Sequence, residues 1–273
     1  MSRLKLNFKK YQIQPLKRLG QNFLVDKLAI KKIVTAAELS FLDVVVEIGP
    51  GFGNLTKELA KKVKKVIAIE KDPRMINILS ETLKEFNNIE IIQGDILKMQ
   101  NADFKLQNYN SKFKIVANLP FYLTAPLIRK FLENKVQPEL MVLVIQKEVA
   151  QRICAKPPDM NLLAVSVQFY AKTKIITYIP RTSFWPQPKV DSAIIRIVPT
   201  IGADKKSVNV DLFFKIVKAG FSQPRKQLAN NLSKKLKLSK DRVKTWLLAN
   251  NIKPDKRAET LNLKDWLNLT KSL

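Results

Sequence analysis

Residues 45–72 read VVEIGPGFGNLTKELAKKVKKVIAIEKD, with Gly49, Gly51 and Gly53 at every second position and Glu70 at the end of the next apolar run. A dinucleotide fingerprint has the form G-x-G-x-x-G after a strand, and here Asn54 stands where its third glycine belongs. Glycines at this density let the backbone approach a ligand closely. Glu70 offers two carboxylate oxygens to the two hydroxyls of a ribose, and Asp95, in QGDIL, can accept from an adenine amino group. No Gly-Lys-Ser/Thr run is present to hold phosphates. These features imply an adenosine cofactor without a pyrophosphate, and S-adenosylmethionine meets that description.

A second stretch, NLPF at residues 118–121, indicates a reaction. An amino nitrogen conjugated to a planar ring is a poor nucleophile until acceptors hold its hydrogens in a tetrahedral arrangement. Asn118 supplies a side-chain carbonyl, Leu119 and Pro120 supply main-chain carbonyls, and proline stiffens the loop. Phe121 offers a ring face to the base and to the positive charge developing on nitrogen.

Composition narrows the remaining chemistry. The chain of 273 residues has no histidine and a single cysteine, Cys154. Ser-His-Asp and Cys-His mechanisms are therefore excluded, no imidazole is available for a metal, and no metal site is expected. The formal net charge of +26 far exceeds what solubility needs and marks nucleic acid as the first partner to consider. Residues 1–20 carry six Lys or Arg and no acid, and residues 201–273 carry 17 basic and six acidic side chains, so both ends read as grip surfaces. No apolar run approaches the length of a membrane span, and the basic N-terminus precedes no apolar signal segment. The chain reads as soluble and cytoplasmic.

The elements that must position these residues follow from periodicity. Short β-branched runs centred on Val45, Ile67, Ile91, Val116 and Val142 alternate with amphipathic segments such as 55–63 and 75–86. That pattern predicts an α/β, doubly wound, Rossmann-like parallel sheet with ligands at the strand carboxyl ends. Further strands are expected near 174–179 and 193–198, joined as an edge hairpin through the proline-rich turn PRTSFWPQPKVDS. After Pro199 the spacing becomes helical, near 212–221, 225–236, 240–250 and 263–269. Two domains are expected, 1–200 binding the cofactor and 201–273 a small helical RNA-binding domain.

Five ordered motifs, LGQNFLVD, EIGPGFGNLT, NLPF, FWPQPKVDSAIIRI and FSQPRKQLANNL, span nearly the whole chain and resemble the ribosomal RNA adenine dimethyltransferases of the KsgA family. The resemblance implies that Asn22, Leu24, Gly49, Glu70, Asp95 and Asn118 line the S-adenosylmethionine site, with Gly51 in the same loop. It also implies that residues 118–121 hold the target base and that Phe184, read as an exposed aromatic, stacks on a flipped adenine opposite Phe121. Two departures stand out. The loop at 155–168 lacks the Gly-Ser-Lys and Tyr-Gly run usual in the family, and Pro224 replaces a common second arginine while Arg225 and Lys226 remain as RNA contacts. The implied activity is successive methylation of two adjacent adenines in small-subunit ribosomal RNA, free or in a pre-ribosomal particle, by a monomer. The alternatives are a large-subunit RNA methyltransferase, whose usual Ser-Gly-Lys and Asn-Ile-Pro-Tyr runs are absent, and an assembly or transcription factor using the fold for binding.

Overall fold

A computed structural model describes residues 10–11, 13–100, 112–200 and 208–273. The first nine residues of the basic N-terminal segment lie outside the described residues. Seven strands form one sheet, β2 (Val44–Ile48), β3 (Lys65–Glu70), β4 (Ile89–Gln93), β5 (Lys114–Asn118), β6 (Leu140–Gln146), β7 (Ala171–Ile179) and β9 (Ser192–Pro199). Their order is β4-β3-β2-β5-β6-β9-β7, with β2 to β6 parallel and β9 antiparallel to β6. The alternation expected from the sequence is therefore present, and β7 and β9 are neighbours at one side of the sheet as the hairpin reading required. Chain order runs outward from β2 through β3 to β4, then returns to β5 on its other side. Such a reversal leaves a crevice beyond the carboxyl ends of β2 and β5.

All five β2 residues are buried, because helices cover both faces of a parallel sheet. One covering pair is α1 (Lys27–Ala36) and α2 (Asn54–Ala60), whose Ile33 and Leu59 join Val45, Val66, Val116 and Val142 in a single apolar cluster. Helix α3 (Pro73–Thr82) packs beside β3 and β4, with Pro73 at its first position and Asp72 accepting the Arg74 N–H as its cap. Helix α4 (Thr124–Glu133) follows β5, and α5 (Lys147–Ile153) follows β6.

A two-residue strand β1 (Phe23–Leu24) pairs antiparallel with β8 (Phe184–Trp185), a ribbon too short to show in the sequence pattern. Its register places Leu24 opposite Phe184 and Phe23 opposite Trp185. The first pair enters the cluster of Ile33 and Val45, and the second packs with Phe52, Met75 and Ile78.

The chain divides into two compact units, residues 1–150 with 174–199 and residues 151–173 with 200–273. This differs from the single boundary at 200 expected from sequence. Helix α6 (Leu162–Tyr170), capped by Asn161, contributes Ala164, Val165 and Phe169 to the core of the second unit. There they meet Phe213, Ile216 and Val217 of α7 (Val210–Gly220). The unit is completed by α8 (Leu228–Leu236), α9 (Lys240–Ala249) and α10 (Leu263–Lys271), around the fully buried Trp266. The divergent 155–168 loop is thus largely the cap and body of a core helix. Its Met160, Ala164 and Val165 belong to the core of the helical unit, and a strand-spacing argument could not reveal that.

Candidate active site

The crevice is built on the glycine loop after β2. Gly49, Gly51 and Gly53 have φ of +70°, +58° and +76°, a region costly for any residue with a Cβ. The loop is closed by hydrogen bonds from Gly49 N–H to the Ile69 carbonyl and from Gly53 N–H to the Pro50 carbonyl, both 2.9 Å. A Cβ at Gly51 would lie 2.8 Å from the Phe23 ring, whereas one at Gly49, in the cleft lining, would meet nothing within 4 Å. Gly51 is therefore required by the neighbouring segment, and Gly49 leaves open space that a ligand can use. Asn54 donates to the Leu24 carbonyl at 3.4 Å, so the residue that departs from the dinucleotide pattern ties the loop to β1.

Glu70 ends β3 almost wholly buried, accepting the Asp72 N–H at 2.8 Å and the Gly51 N–H at 3.4 Å. Burial raises its carboxyl above the ordinary carboxylate range, and the backbone amides of Asp72, Gly51 and Lys71 pull it back. Both oxygens keep lone pairs for further donors. Asp95 accepts the Leu97 N–H at 3.1 Å and pairs with the Lys71 ammonium at 2.9 Å, which holds its carboxyl below the usual range. It is both a turn cap and a cleft wall.

Sequence reading passed over Glu47, the acid two residues before Gly49. It is fully buried on β2, lines the same cleft, and has one carboxylate oxygen with no partner. Burial, reinforced by the charge of Glu70, pushes its carboxyl up to about 8. Its signal was an acid interrupting a Val/Ile run that is otherwise continuous.

Asn118 closes β5 at the same crevice. Its Nδ2 donates to the Asn22 carbonyl at 3.0 Å, and the Asn22 side chain donates to the Gly20 carbonyl at 3.2 Å. With the amide nitrogen engaged, the Asn118 oxygen is the end left to receive a donor. Leu119 N–H donates to the Val144 carbonyl at 3.1 Å, while the Pro120 carbonyl accepts the Leu123 N–H at 2.9 Å and closes a 3-10 turn at Phe121–Leu123. The Pro120 carbonyl keeps one lone pair after this bond and so remains, with the Asn118 oxygen and the Leu119 carbonyl, in the expected trio of acceptors.

Asn22, Leu24, Gly49, Gly51, Glu70, Asp95, Asn118 and Pro120 all line the one cleft. Phe121 is half-buried and stands outside that lining, which instead includes its neighbour Tyr122, 50% exposed. Phe184 corrects the expectation of an exposed ring: it is 3% exposed, because its place opposite Leu24 directs it into the apolar cluster. In the second unit, Arg225 and Lys226 are exposed in the turn between α7 and α8, and Lys226 lines a groove with Lys234, Lys235 and Asn230.

An open glycine cradle and two acids at the ends of β3 and β4 suit a ligand with a diol and an amino group. A doubly wound sheet carrying this cleft, with Asn118 and Pro120 of the Asn-Leu-Pro-Phe run in its lining, defines a methyltransferase class that uses S-adenosylmethionine. The ribosomal RNA adenine dimethylase family profile matches residues 14–273, and the chain belongs to that family. A protein of Dehalococcoides mccartyi named ribosomal RNA small subunit methyltransferase A is 41% identical over 266 residues, covering 97% of this chain and 91% of that one. A protein of the same name from Alkaliphilus metalliredigens is 41% identical over 100% of this chain and 96% of its own. Among solved structures, a dimethyladenosine transferase from Plasmodium falciparum superposes with a TM-score of 0.74 at 30% identity, over 89% of this chain and 94% of that chain. The 23S rRNA methyltransferase ErmE gives a TM-score of 0.75 at 27% identity, over 92% and 99%.

Proposed function

We propose that the chain methylates the exocyclic amino nitrogen of adenine in small-subunit ribosomal RNA, using S-adenosylmethionine, and forms dimethyladenosine in two successive transfers. The observation that carries the reading is Asn118, whose amide nitrogen is held by the Asn22 carbonyl while its oxygen remains an acceptor at the rim of the cofactor cleft.

Glu70 would hold the ribose hydroxyls and Asp95 the adenine amino group of the cofactor, with Gly49 giving the backbone its close approach. When bound, S-adenosylmethionine supplies an electrophilic methyl group on a sulfonium. In the first transfer the Asn118 oxygen and the Leu119 carbonyl would accept the two hydrogens of the target amino group, and in the second one of them would accept the single hydrogen that remains; each time the lone pair is drawn out of conjugation and pointed along the line of attack. The nitrogen loses a proton to solvent after transfer, so the absence of histidine costs nothing. Phe121 would pack against the base. Phe184 would reach a base only after leaving the cluster it now occupies, so its part is proposed as support of β1 from below.

The basic surface supplies the RNA grip, with Arg225 and Lys226 on phosphates. We take the assembling small-subunit particle as the substrate and the monomer as the working form. No helix among the described residues is long and apolar enough to cross a membrane.

The test is to incubate the protein with unmodified small-subunit particles, free small-subunit RNA and large-subunit RNA, and to map methylated adenines in each. Two adjacent dimethyladenosines on the particle alone are expected, and modification confined to large-subunit RNA would overturn the reading. Asn118→Ala should lower turnover about 100-fold or more with little change in RNA affinity.

A further inference from the structure

Both halves of the site are joined through a residue that has no chemistry of its own. Gln21 donates from Nε2 to Asp72 Oδ2 at 2.9 Å, and its Oε1 accepts the Leu16 N–H at 2.8 Å. Asp72 is 2% exposed, and Arg74 grips it from Nε at 2.9 Å and Nη2 at 2.6 Å. Arg74 holds the Asp72 carboxyl below its ordinary range, so Gln21 meets a buried anion that water cannot readily satisfy instead. The same Asp72 donates its backbone N–H to Glu70, the acid assigned to the ribose. The residue next to Gln21, Asn22, gives its carbonyl to the Asn118 amide. One continuous set of contacts therefore runs Glu70, Asp72, Gln21, Asn22, Asn118.

An asparagine amide is nearly symmetric in shape and opposite in polarity at its two ends. If its nitrogen loses the Asn22 carbonyl, rotation presents donors to an amino group that needs an acceptor. We propose that Gln21 is a positioning residue for methyl transfer: by pinning residues 20–22 to Asp72 it fixes the Asn22 carbonyl, and so holds the Asn118 oxygen toward the substrate. The proposal rests on the reading of Asn118 as the acceptor for the target amino group.

The test is a double-mutant cycle in the full-length protein, combining Gln21→Ala with Asn118→Ala. Gln21→Glu is a second variant that keeps the volume and the acceptor for Leu16 but sets a carboxylate against Asp72. Three quantities are measured: calorimetric affinity for S-adenosylhomocysteine, the Asn118 side-chain amide signal by NMR, and single-turnover methylation of unmodified small-subunit particles. In both Gln21 variants the amide signal should shift and exchange faster with solvent, and the fold loss in S-adenosylhomocysteine affinity should be smaller than the fold loss in methylation rate. Methylation should slow about tenfold or more in the parent background and not at all in the Asn118→Ala background, as expected for residues acting as one unit. Parent-like rates, an unmoved amide signal, or an equal loss in both backgrounds would overturn it. Should Asn118→Ala alone methylate like the parent, the reading of Asn118 fails instead, and the amide signal still reports whether Gln21 orients that side chain.

Discussion

A carboxyl enclosed in the middle of a parallel sheet is driven toward its neutral form, because no water is present to solvate the charge. Glu47 is in that position, raised from an ordinary 4.5 to about 8. A group whose folded value is raised contributes stability that is complete below its unfolded value and lost as the pH climbs to the folded one. Glu70 is raised in the same direction, so the two act together above pH 4.5. Asp26, Asp72 and Asp95 are lowered from 3.8, and the stability they contribute is lost only as pH falls below that value. The ligand-free protein should therefore lose melting temperature between about pH 5 and about pH 8, and Glu47→Gln should flatten much of that fall. Calorimetric melts across this window check it, and an unchanged slope in the variant would remove Glu47 as the source.

Among the elements, the turn from β2 to α2 separates two jobs that the sequence shows as one motif. Alanine at Gly51 faces both a left-handed backbone and the Phe23 ring at 2.8 Å, while alanine at Gly49 faces the backbone cost alone. Gly51→Ala should then destabilise by about 2–5 kcal/mol, combining strain of about 1–2 kcal/mol with overpacking of about 1–3 kcal/mol. Gly49→Ala should cost about 1–2 kcal/mol of stability. It should also weaken S-adenosylmethionine binding more than tenfold, because its methyl takes up cleft space that the cofactor needs. Urea unfolding and calorimetric titration of the two variants separate these effects. Equal stability losses would mean that the Phe23 ring moves aside freely.

For the whole molecule the dominant quantity is charge. A protein at +26 binds RNA partly by releasing counterions, and every cation withdrawn from a phosphate flattens the salt dependence. Arg225→Ala with Lys226→Ala withdraws up to two such cations, so the slope of log affinity against log salt should flatten by about 1–2 units while cofactor affinity stays at the parent value. Filter binding to unmodified small-subunit particles at several salt concentrations measures this. An identical affinity at every concentration would show that these exposed cations are only solvated surface.

Local pattern was enough for the parallel strands, the glycine loop and the acids at strand ends, since each depends on a period or spacing carried by neighbouring residues. Asn118, Glu70 and Asp95 were legible for that reason: a strand end in a doubly wound sheet faces the ligand crevice wherever its partners lie. What tertiary structure alone decided depends on contacts between distant residues. Phe184 looked exposed among prolines, and it is buried because β8 pairs with β1, about 160 residues earlier in the chain. Helix α6 lies between two sheet strands in sequence, yet its apolar face joins the core that Phe213 and Ile216 complete later in the chain. Glu47 reads as one more strand residue until enclosure leaves its oxygen without a partner. Gln21 is a polar residue in a loop until folding brings it to Asp72 and sets its neighbour against Asn118. Periodicity records which face of an element is apolar, whereas hydrogen-bond partners are chosen only when the whole chain has closed around them.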